Sequence, residues 1–281
     1  MKTALIDVGG GMRGIYAAGV LDCCLDEQVT FDAGIGISAG SANIASFLAH
    51  QRGRNKRYFL EYSFRKEYMS LSNYRTNGSF LNLDYIYGTL SNSDGEYPLD
   101  YQAIIDNPTL LYVLACNAWT GETKIFYKSD LSLDNYDIFK ASCAIPSICK
   151  PYFIDGIPYF DGALGDTIPL DMVENYDRIV LILTKPKDTI RTSRKDDLLA
   201  RRIEKQYPKA AEQLHLRAVK YNAGVAKAKD LEKTGKLLII APENTEGVDT
   251  LTRDKGAFFR LYTRGYMDGH QVKEFINRHA L

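Results

Sequence analysis

The chain has 281 residues, of which 45% are hydrophobic and 25% are charged. These proportions are ordinary for a globular protein, and the length is sufficient for one large α/β domain with a buried core. The 35 Lys and Arg residues balance the 35 Asp and Glu residues. The composition therefore excludes a globally basic nucleic-acid-binding protein, and we expect no nucleic acid as a partner.

The N-terminus and the cysteines bear on the compartment in which the protein is expected. The opening sequence MKTALIDVGGG has only a short apolar stretch before the glycines, which resembles neither a signal peptide nor a membrane span. The cysteines are odd in number and lack a C-x-x-C spacing, so we expect free thiols and no metal site. They are Cys23, Cys24, Cys116, Cys143 and Cys149. We expect a cytoplasmic protein.

The first fifty residues predict two strand–helix units. TALIDV (3–8) is a short apolar run that suits a buried strand. In residues 13–27 the apolar and polar residues are mixed as in a helix. FDAGIGI (31–37) predicts a second strand, followed by a helix rich in small residues over 38–54. This order indicates a parallel sheet with helices on its faces.

The following elements extend the sheet. Residues 109–127 predict two strands joined at Thr120-Gly121, and residues 136–144 predict a helix that stops before Pro146. Asp155-Gly156 predicts a type I′ hairpin, which leaves the pair Asp161-Gly162 at the far end of the returning strand. Further buried strands are expected in 177–186 and 235–242.

Residues 187–233 are helical in pattern and hold 13 Lys and Arg against 7 Asp and Glu. The excess indicates either a solvated helical face or a basic surface or lid that faces anionic lipid. We predict a single domain over 1–281, with a catalytic core in 5–175, this charged helical excursion, and a C-terminal strand and helix in 235–281.

The glycine-rich loop after the first strand has two interpretations. Gly9, Gly11 and Gly14 fit G-x-G-x-x-G, which is typical of dinucleotide-binding turns. Such a turn needs an acidic residue at the end of the second strand, whereas Asp32 begins that strand. Ser38 stands at its end instead. The loop is therefore interpreted better as an oxyanion hole than as a pyrophosphate cradle.

Residues 36–40, GISAG, form a G-x-S-x-G sequence between a predicted strand and a predicted helix. This placement is typical of a nucleophile elbow, in which a tight turn presents the serine hydroxyl above the sheet. The carboxyl ends of adjacent parallel strands meet at one sheet edge. We therefore expect Ser38 to face the glycine loop.

A serine nucleophile needs a base, and Asp161 is the better candidate. Burial raises the basicity of a carboxylate, so one aspartate can take the Ser38 proton and later activate water. A histidine triad remains as the alternative, with His270 in the chain order serine, acid, histidine. The other histidines fit less well: His50 is expected too far along the helix after Ser38, His215 lies in the charged excursion, and His279 is near the C-terminus.

Three motifs together resemble the patatin-like phospholipases. GGGMRG (9–14) is similar to the family's oxyanion motif, GISAG (36–40) to its nucleophile elbow, and DGA (161–163) to its catalytic-aspartate motif. Residues 141–164 also resemble the run that leads into that aspartate. The order and spacing agree over about residues 5–175. The resemblance implies a three-layer α/β fold with a central, mainly parallel sheet flanked by helices.

The resemblance also implies roles for individual residues. Ser38 would be the nucleophile and Asp161 its only partner, without histidine. Backbone N–H groups of Gly10, Gly11 and Gly9 would form the oxyanion hole. Arg13 would fix the loop, meet a phosphate, or pair with nearby carboxylates. The remaining motif residues are Gly14, Gly36, Gly40 and Gly162. The family often has an acidic or small polar residue before the glycines, where this chain has Val8.

These observations predict a serine hydrolase that cleaves carboxylic esters of acyl lipids through an acyl-enzyme, without cofactor or metal. The expected partner is an acyl lipid or ester substrate, with peripheral membrane contact favoured by the basic excursion and the 19 tyrosines. Three alternatives remain: a soluble esterase, thioesterase or acyltransferase; a nucleotide-binding oxidoreductase; and a catalytically silent acyl-binding regulatory protein.

Overall fold

A computed structural model describes residues 1–278 of the chain. The strands are β1 (Thr3–Asp7), β2 (Ala33–Ile37), β3 (Leu110–Asn117), β4 (Thr123–Tyr127), β5 (Tyr152–Ile154), β6 (Ile157–Asp161), β7 (Arg178–Ile182) and β8 (Leu237–Ile240). The helices are α1 (Ile15–Asp26), α2 (Ala39–Leu48), α3 (Arg54–Leu60), α4 (Leu71–Asn77), α5 (Tyr101–Asp106), α6 (Asp137–Cys143), α7 (Arg194–Ile203), α8 (Pro208–Lys233) and α9 (Lys255–Asn277).

The eight strands form one sheet in the order β5-β6-β3-β2-β1-β7-β8, with β4 paired to β3. Parallel pairing joins β3 to β2, β2 to β1, β1 to β7 and β7 to β8. Antiparallel pairing joins β4 to β3, β6 to β3 and β5 to β6. The expected central, mainly parallel sheet is therefore confirmed. Its carboxyl edge at β1 and β2 is where an open α/β sheet binds a ligand.

Helices cover both faces of the sheet. Leu5 of β1 packs in one core cluster with residues of α1, α2 and α9, whereas its neighbours Ala4 and Ile6 pack in a second cluster. That second cluster includes Tyr221 and Val225 of α8. Because successive strand residues point to opposite faces, this alternation gives the three-layer arrangement. The long helix of the charged excursion is thus one of the two outer layers of the fold.

The predicted hairpin at Asp155-Gly156 is confirmed. Both residues have positive φ, 51° and 77°, as a type I′ turn requires. The hairpin joins β5 to β6 in antiparallel pairing, so Asp161 is the last residue of the returning strand. The turn at Thr120-Gly121 likewise joins β3 to β4.

The helix predicted over 38–54 is too long. α2 ends at Leu48, His50 has a φ of 52° and Gly53 a φ of 78°, and a separate helix, α3, begins at Arg54. These left-handed residues end the helix and turn the chain. His50 therefore does not lie on the helix that follows Ser38. Within residues 1–278, no helix is both long enough and apolar enough to cross a bilayer.

Candidate active site

The glycine loop lies directly against the serine elbow. β1 and β2 are adjacent and parallel, so both segments leave the sheet at the same edge. A Cβ atom built on Gly9 would lie 2.2 Å from the carbonyl oxygen of Ile37, and the φ of Gly9 is 66°. No larger residue fits this contact, which explains the glycine in physical terms. Both segments line one cavity of about 540 Å³.

Ser38 has a strained backbone in the turn between β2 and α2. Its φ of 55° and ψ of −132° lie outside the regions that a non-glycine residue ordinarily adopts. The turn is held on both sides: the Ser38 N–H donates to Ser142 Oγ at 2.8 Å, and Ser41 Oγ donates to the Ser38 carbonyl at 2.7 Å. The side chain is buried and lines the cavity.

Asp161 lies in the same cavity at the end of β6. Its N–H donates to the Ala144 carbonyl, and its Oδ1 accepts the Ala163 N–H at 2.9 Å. Burial raises the pKa of the Asp161 carboxyl, while the charge of Arg217, the Ser38 side chain and the Ala163 amide lower it. A buried carboxylate of raised basicity beside a serine hydroxyl fits the role of a general base.

The structure narrows the set of predicted oxyanion donors. The Gly9 N–H is engaged, because it donates to Asp7 Oδ1 at 2.9 Å. By contrast, no acceptor among residues 1–278 takes the N–H of Gly10 or Gly11, and both residues line the cavity. Gly9 therefore has a structural role in the loop, which corrects its placement among the donors. Gly10 and Gly11 have N–H groups free for an oxyanion.

Sequence reasoning missed Asp7, which fixes the glycine loop. Its carboxylate accepts from the Gly9 N–H and, at 2.9 Å, from Asn43 Nδ2. Burial raises the pKa of Asp7 to about 6, while these two hydrogen bonds lower it. A signal was present in the sequence, because an aspartate at the end of a buried apolar strand needs polar partners. The acidic residue absent at position 8 thus has a counterpart one residue earlier.

Arg13 forms an ion pair, one of the roles expected for it. Its NH1 group lies 2.5 Å from Asp249 Oδ1, and only 8% of its side chain is exposed. Arg13 also lines the cavity, together with Arg217 of α8 and Thr250. The loop is anchored there, since the Met12 N–H donates to the Thr250 carbonyl at 3.1 Å. Residues beyond the predicted core therefore complete the site.

The histidines lie elsewhere. His270 Nδ1 is 2.5 Å from Glu27 Oε1, and His215 Nδ1 is 2.7 Å from Asp197 Oδ1. None of the three histidines in residues 1–278 lines the cavity, and His279 is outside the described residues. His270, Glu27 and Cys23 are the one group of three metal-type side chains that come together in the described part of the chain. They do not line the cavity that contains Ser38.

Comparison with known proteins assigns the chain to a family. The family model described as Patatin-like phospholipase matches residues 8–173, which is more than half of the chain. The chain belongs to the patatin-like phospholipase family. This family match supports a lipid acyl hydrolase in general terms. A second family model, described as a domain of unknown function (DUF6363), matches residues 207–279.

Two individual relatives were compared with the chain, and neither assigns it an activity. The uncharacterized protein YjjU of Escherichia coli (strain K12) is 30% identical over 172 residues, which are 60% of this chain and 47% of YjjU. The chain thus spans about half the length of that curated relative. The crystal structure of VipD from Legionella pneumophila matches with a TM-score of 0.54 at 13% identity, covering 97% of this chain and 67% of VipD. This likeness concerns the fold alone.

In this patatin-like protein, two cavities of different character meet at Ser38. The cavity of about 540 Å³ contains Asp161, the glycine loop and several basic side chains. The second, narrow cavity is mostly apolar and extends between α2, α3 and the segment 68–87. Its apolar lining includes Met12, Phe59, Tyr68, Met69, Leu81 and Leu83. Ser38 therefore lines both cavities. We call the first the polar cavity, because charged side chains line it, and the second the apolar cavity.

Proposed function

We propose that the protein is a serine acyl hydrolase that cleaves carboxylic esters of lipids with a Ser38–Asp161 dyad. One observation carries the proposal: Ser38, held in a strained turn, lines one cavity with the buried Asp161 and with Gly10 and Gly11, whose N–H groups have no acceptor in the described residues. Nucleophile, base and oxyanion donors are the three groups that acyl transfer requires.

The reaction would proceed in two balanced steps. Ser38 Oγ attacks the ester carbonyl carbon while its proton passes to Asp161, and the N–H groups of Gly10 and Gly11 stabilise the oxyanion. The tetrahedral intermediate collapses, the ester C–O bond breaks, and the alcohol leaves with the proton from Asp161. Water then gives a proton to Asp161 and attacks the acyl-enzyme. The carboxylic acid is released as that proton returns to Ser38 Oγ.

The two cavities suggest how the substrate lies. The acyl chain would occupy the apolar cavity, because burying its methylene groups is favourable there. The leaving alcohol and the hydrolytic water would occupy the polar cavity, where Asp161 can exchange protons with them. Because Arg217 and Thr250 line this cavity, we propose that residues 1–281 act as one catalytic unit. Peripheral contact with a lipid surface and a cytoplasmic location belong to this proposal.

Heavy-oxygen labelling tests the proposed reaction directly. The purified protein is incubated with a phospholipid in ¹⁸O-labelled water, and both products are analysed by mass spectrometry. Cleavage at the acyl carbon places one ¹⁸O atom in the released fatty acid and none in the lysolipid alcohol. Label in a released phosphate group would indicate phosphoester cleavage and would contradict the proposal.

The proposed base sets an expectation for pH dependence. Asp161 accepts a proton only as a carboxylate, and its pKa is raised by burial. As the pH is lowered, kcat/KM on p-nitrophenyl butyrate should therefore fall when Asp161 is protonated. This fall is expected at a higher pH than it would be for an aspartate of ordinary pKa. Since the charge of Arg217 lowers this pKa, Arg217→Gln is expected to move the acid limb to still higher pH. An acid limb that stays in place in this variant would contradict the assignment.

A further inference from the structure

Five basic side chains line the polar cavity beside Ser38. They are Arg13, Lys185, Arg191, Lys195 and Arg217. Four of the five lie outside residues 8–173, the part of the chain that the patatin-like model matches. Ordinary ester hydrolysis does not need this many cations, because the N–H groups of the glycine loop can stabilise the oxyanion. The cavity therefore holds positive charge that the proposed mechanism leaves unused.

The carboxylates in this cavity do not neutralise its cations. Asp196 is shared between Arg191, at 2.8 Å, and Arg217, at 3.5 Å. Asp249 is likewise shared between Arg13, at 2.5 Å, and Lys195, at 3.1 Å. Each carboxylate thus balances one cation of a pair, and the other cation of each pair remains in excess.

Lys185 adds a further positive charge. In the described part of the chain it forms no ion pair, although its side chain is half-buried. Burial and the nearby charges of Arg13 and Arg191 lower the pKa of Lys185 to about 8. Even with Asp161 ionised, five cations face three carboxylates, so the cavity retains an excess of two positive charges.

Two of the arginines also have donors without acceptors. The Nε groups of Arg13 and Arg217 are buried, and neither finds a hydrogen-bond partner within residues 1–278. Only 8% and 17% of these two side chains is exposed. Buried donors without acceptors are costly, and charged ones especially so. An anion in the cavity would offset the buried charge of these two guanidinium groups.

We propose that this cavity binds a phosphomonoester, and that the preferred substrates are acyl esters whose alcohol carries a terminal phosphate. The inference rests on the proposed function. A phosphomonoester has a charge near −2, which matches the excess charge of two, and three acceptor oxygens that can bind to the basic side chains lining the cavity. A zwitterionic headgroup would bring a cation into the same cavity. Because Ser38 lines this cavity, the phosphate lies on the leaving-alcohol side of the ester.

The test compares two substrates with identical acyl chains, dioctanoyl phosphatidic acid and dioctanoylglycerol, each dilute in uncharged detergent micelles. Wild type is expected to favour the phosphatidic acid in kcat/KM by roughly 10- to 100-fold, the range for hydrogen bonds to a charged group. Arg217→Gln and Lys185→Gln should each reduce this preference severalfold or more. The matched control Arg202→Gln removes an exposed arginine outside the cavity and should retain it.

Lys185→Gln guards against a folding defect, because it removes a cation that has no ion-pair partner in the described residues. Dioctanoyl phosphatidylcholine should be a poorer substrate than the phosphatidic acid. Equal rates on all three lipids, or a preference that survives both variants, would overturn the inference. If wild type shows no preference among the lipids but is inhibited by inorganic phosphate, the cavity is a site for free phosphate. That result would also overturn the inference.

A failure of the phosphomonoester assignment can be distinguished from a failure of the proposed serine hydrolase activity. Hydrolysis of p-nitrophenyl butyrate, which carries no phosphate, depends on Ser38 and Asp161 and not on a headgroup. If this ester is hydrolysed while the lipid preference is absent, only the phosphomonoester assignment fails. If folded protein hydrolyses no ester at all, the catalytic proposal fails and the substrate inference fails with it.

Discussion

Ser38→Ala is expected to lower kcat on carboxylic esters by about ten-thousand-fold or more, because it removes the atom that forms the acyl-enzyme. The fold should be retained. The contacts that hold the elbow use the backbone N–H and carbonyl of Ser38, which donate to Ser142 and accept from Ser41, and alanine keeps both. Initial rates on p-nitrophenyl butyrate, measured beside the thermal unfolding midpoint, give the comparison.

The matched control is Ser72→Ala, since Ser72 is an exposed serine in α4. This variant should retain wild-type activity. A Ser38→Ala protein that folds and still hydrolyses the ester at a rate near wild type would rule out Ser38 as the nucleophile.

Asp161→Asn is expected to lower kcat by about a thousand-fold, within the range of general-base catalysis. The amide oxygen can keep the hydrogen bond from the Ala163 N–H, which Oδ1 accepts in the native protein. The group facing Ser38 then becomes an amide that cannot accept the serine proton. Because burial raises the pKa of the native carboxyl, the neutral asparagine should not lower the thermal unfolding midpoint at neutral pH.

The control for this prediction is His270→Ala. His270 is paired with Glu27 and does not line the Ser38 cavity, so its loss should leave kcat close to that of wild type. An Asp161→Asn protein with full activity, or a His270→Ala protein with none, would contradict a dyad made of serine and aspartate.

Local sequence signals were sufficient to predict the part of the site that lies on neighbouring elements. The short strands 3–8 and 31–37 each end in a motif, and parallel pairing brings those two ends together. The hairpin at Asp155-Gly156 places Asp161 at the end of its strand through turn chemistry that the dipeptide itself specifies. Such features depend on residues a few positions apart, so a single sequence reveals them.

The contributions from distant residues could not be predicted in this way. Ser142 lies 104 positions from Ser38, yet its hydroxyl accepts the Ser38 N–H. Arg217 reaches the cavity because α8 packs across the sheet, whereas its sequence context resembles a solvated helix. The overlong helix predicted over 38–54 has another cause. Its small and polar residues carry no clear stop signal before Gly53, and the left-handed conformation of His50 arises in the folded chain.

The most direct test of a Ser38–Asp161 dyad is covalent labelling with a fluorophosphonate probe, followed by mapping of the modified peptide. Wild type and His270→Ala are expected to become labelled on Ser38. Ser38→Ala should not be labelled at all, and Asp161→Asn only very slowly, because no base activates its serine. Loss of labelling in His270→Ala, or labelling of folded Asp161→Asn at the wild-type rate, would contradict the dyad.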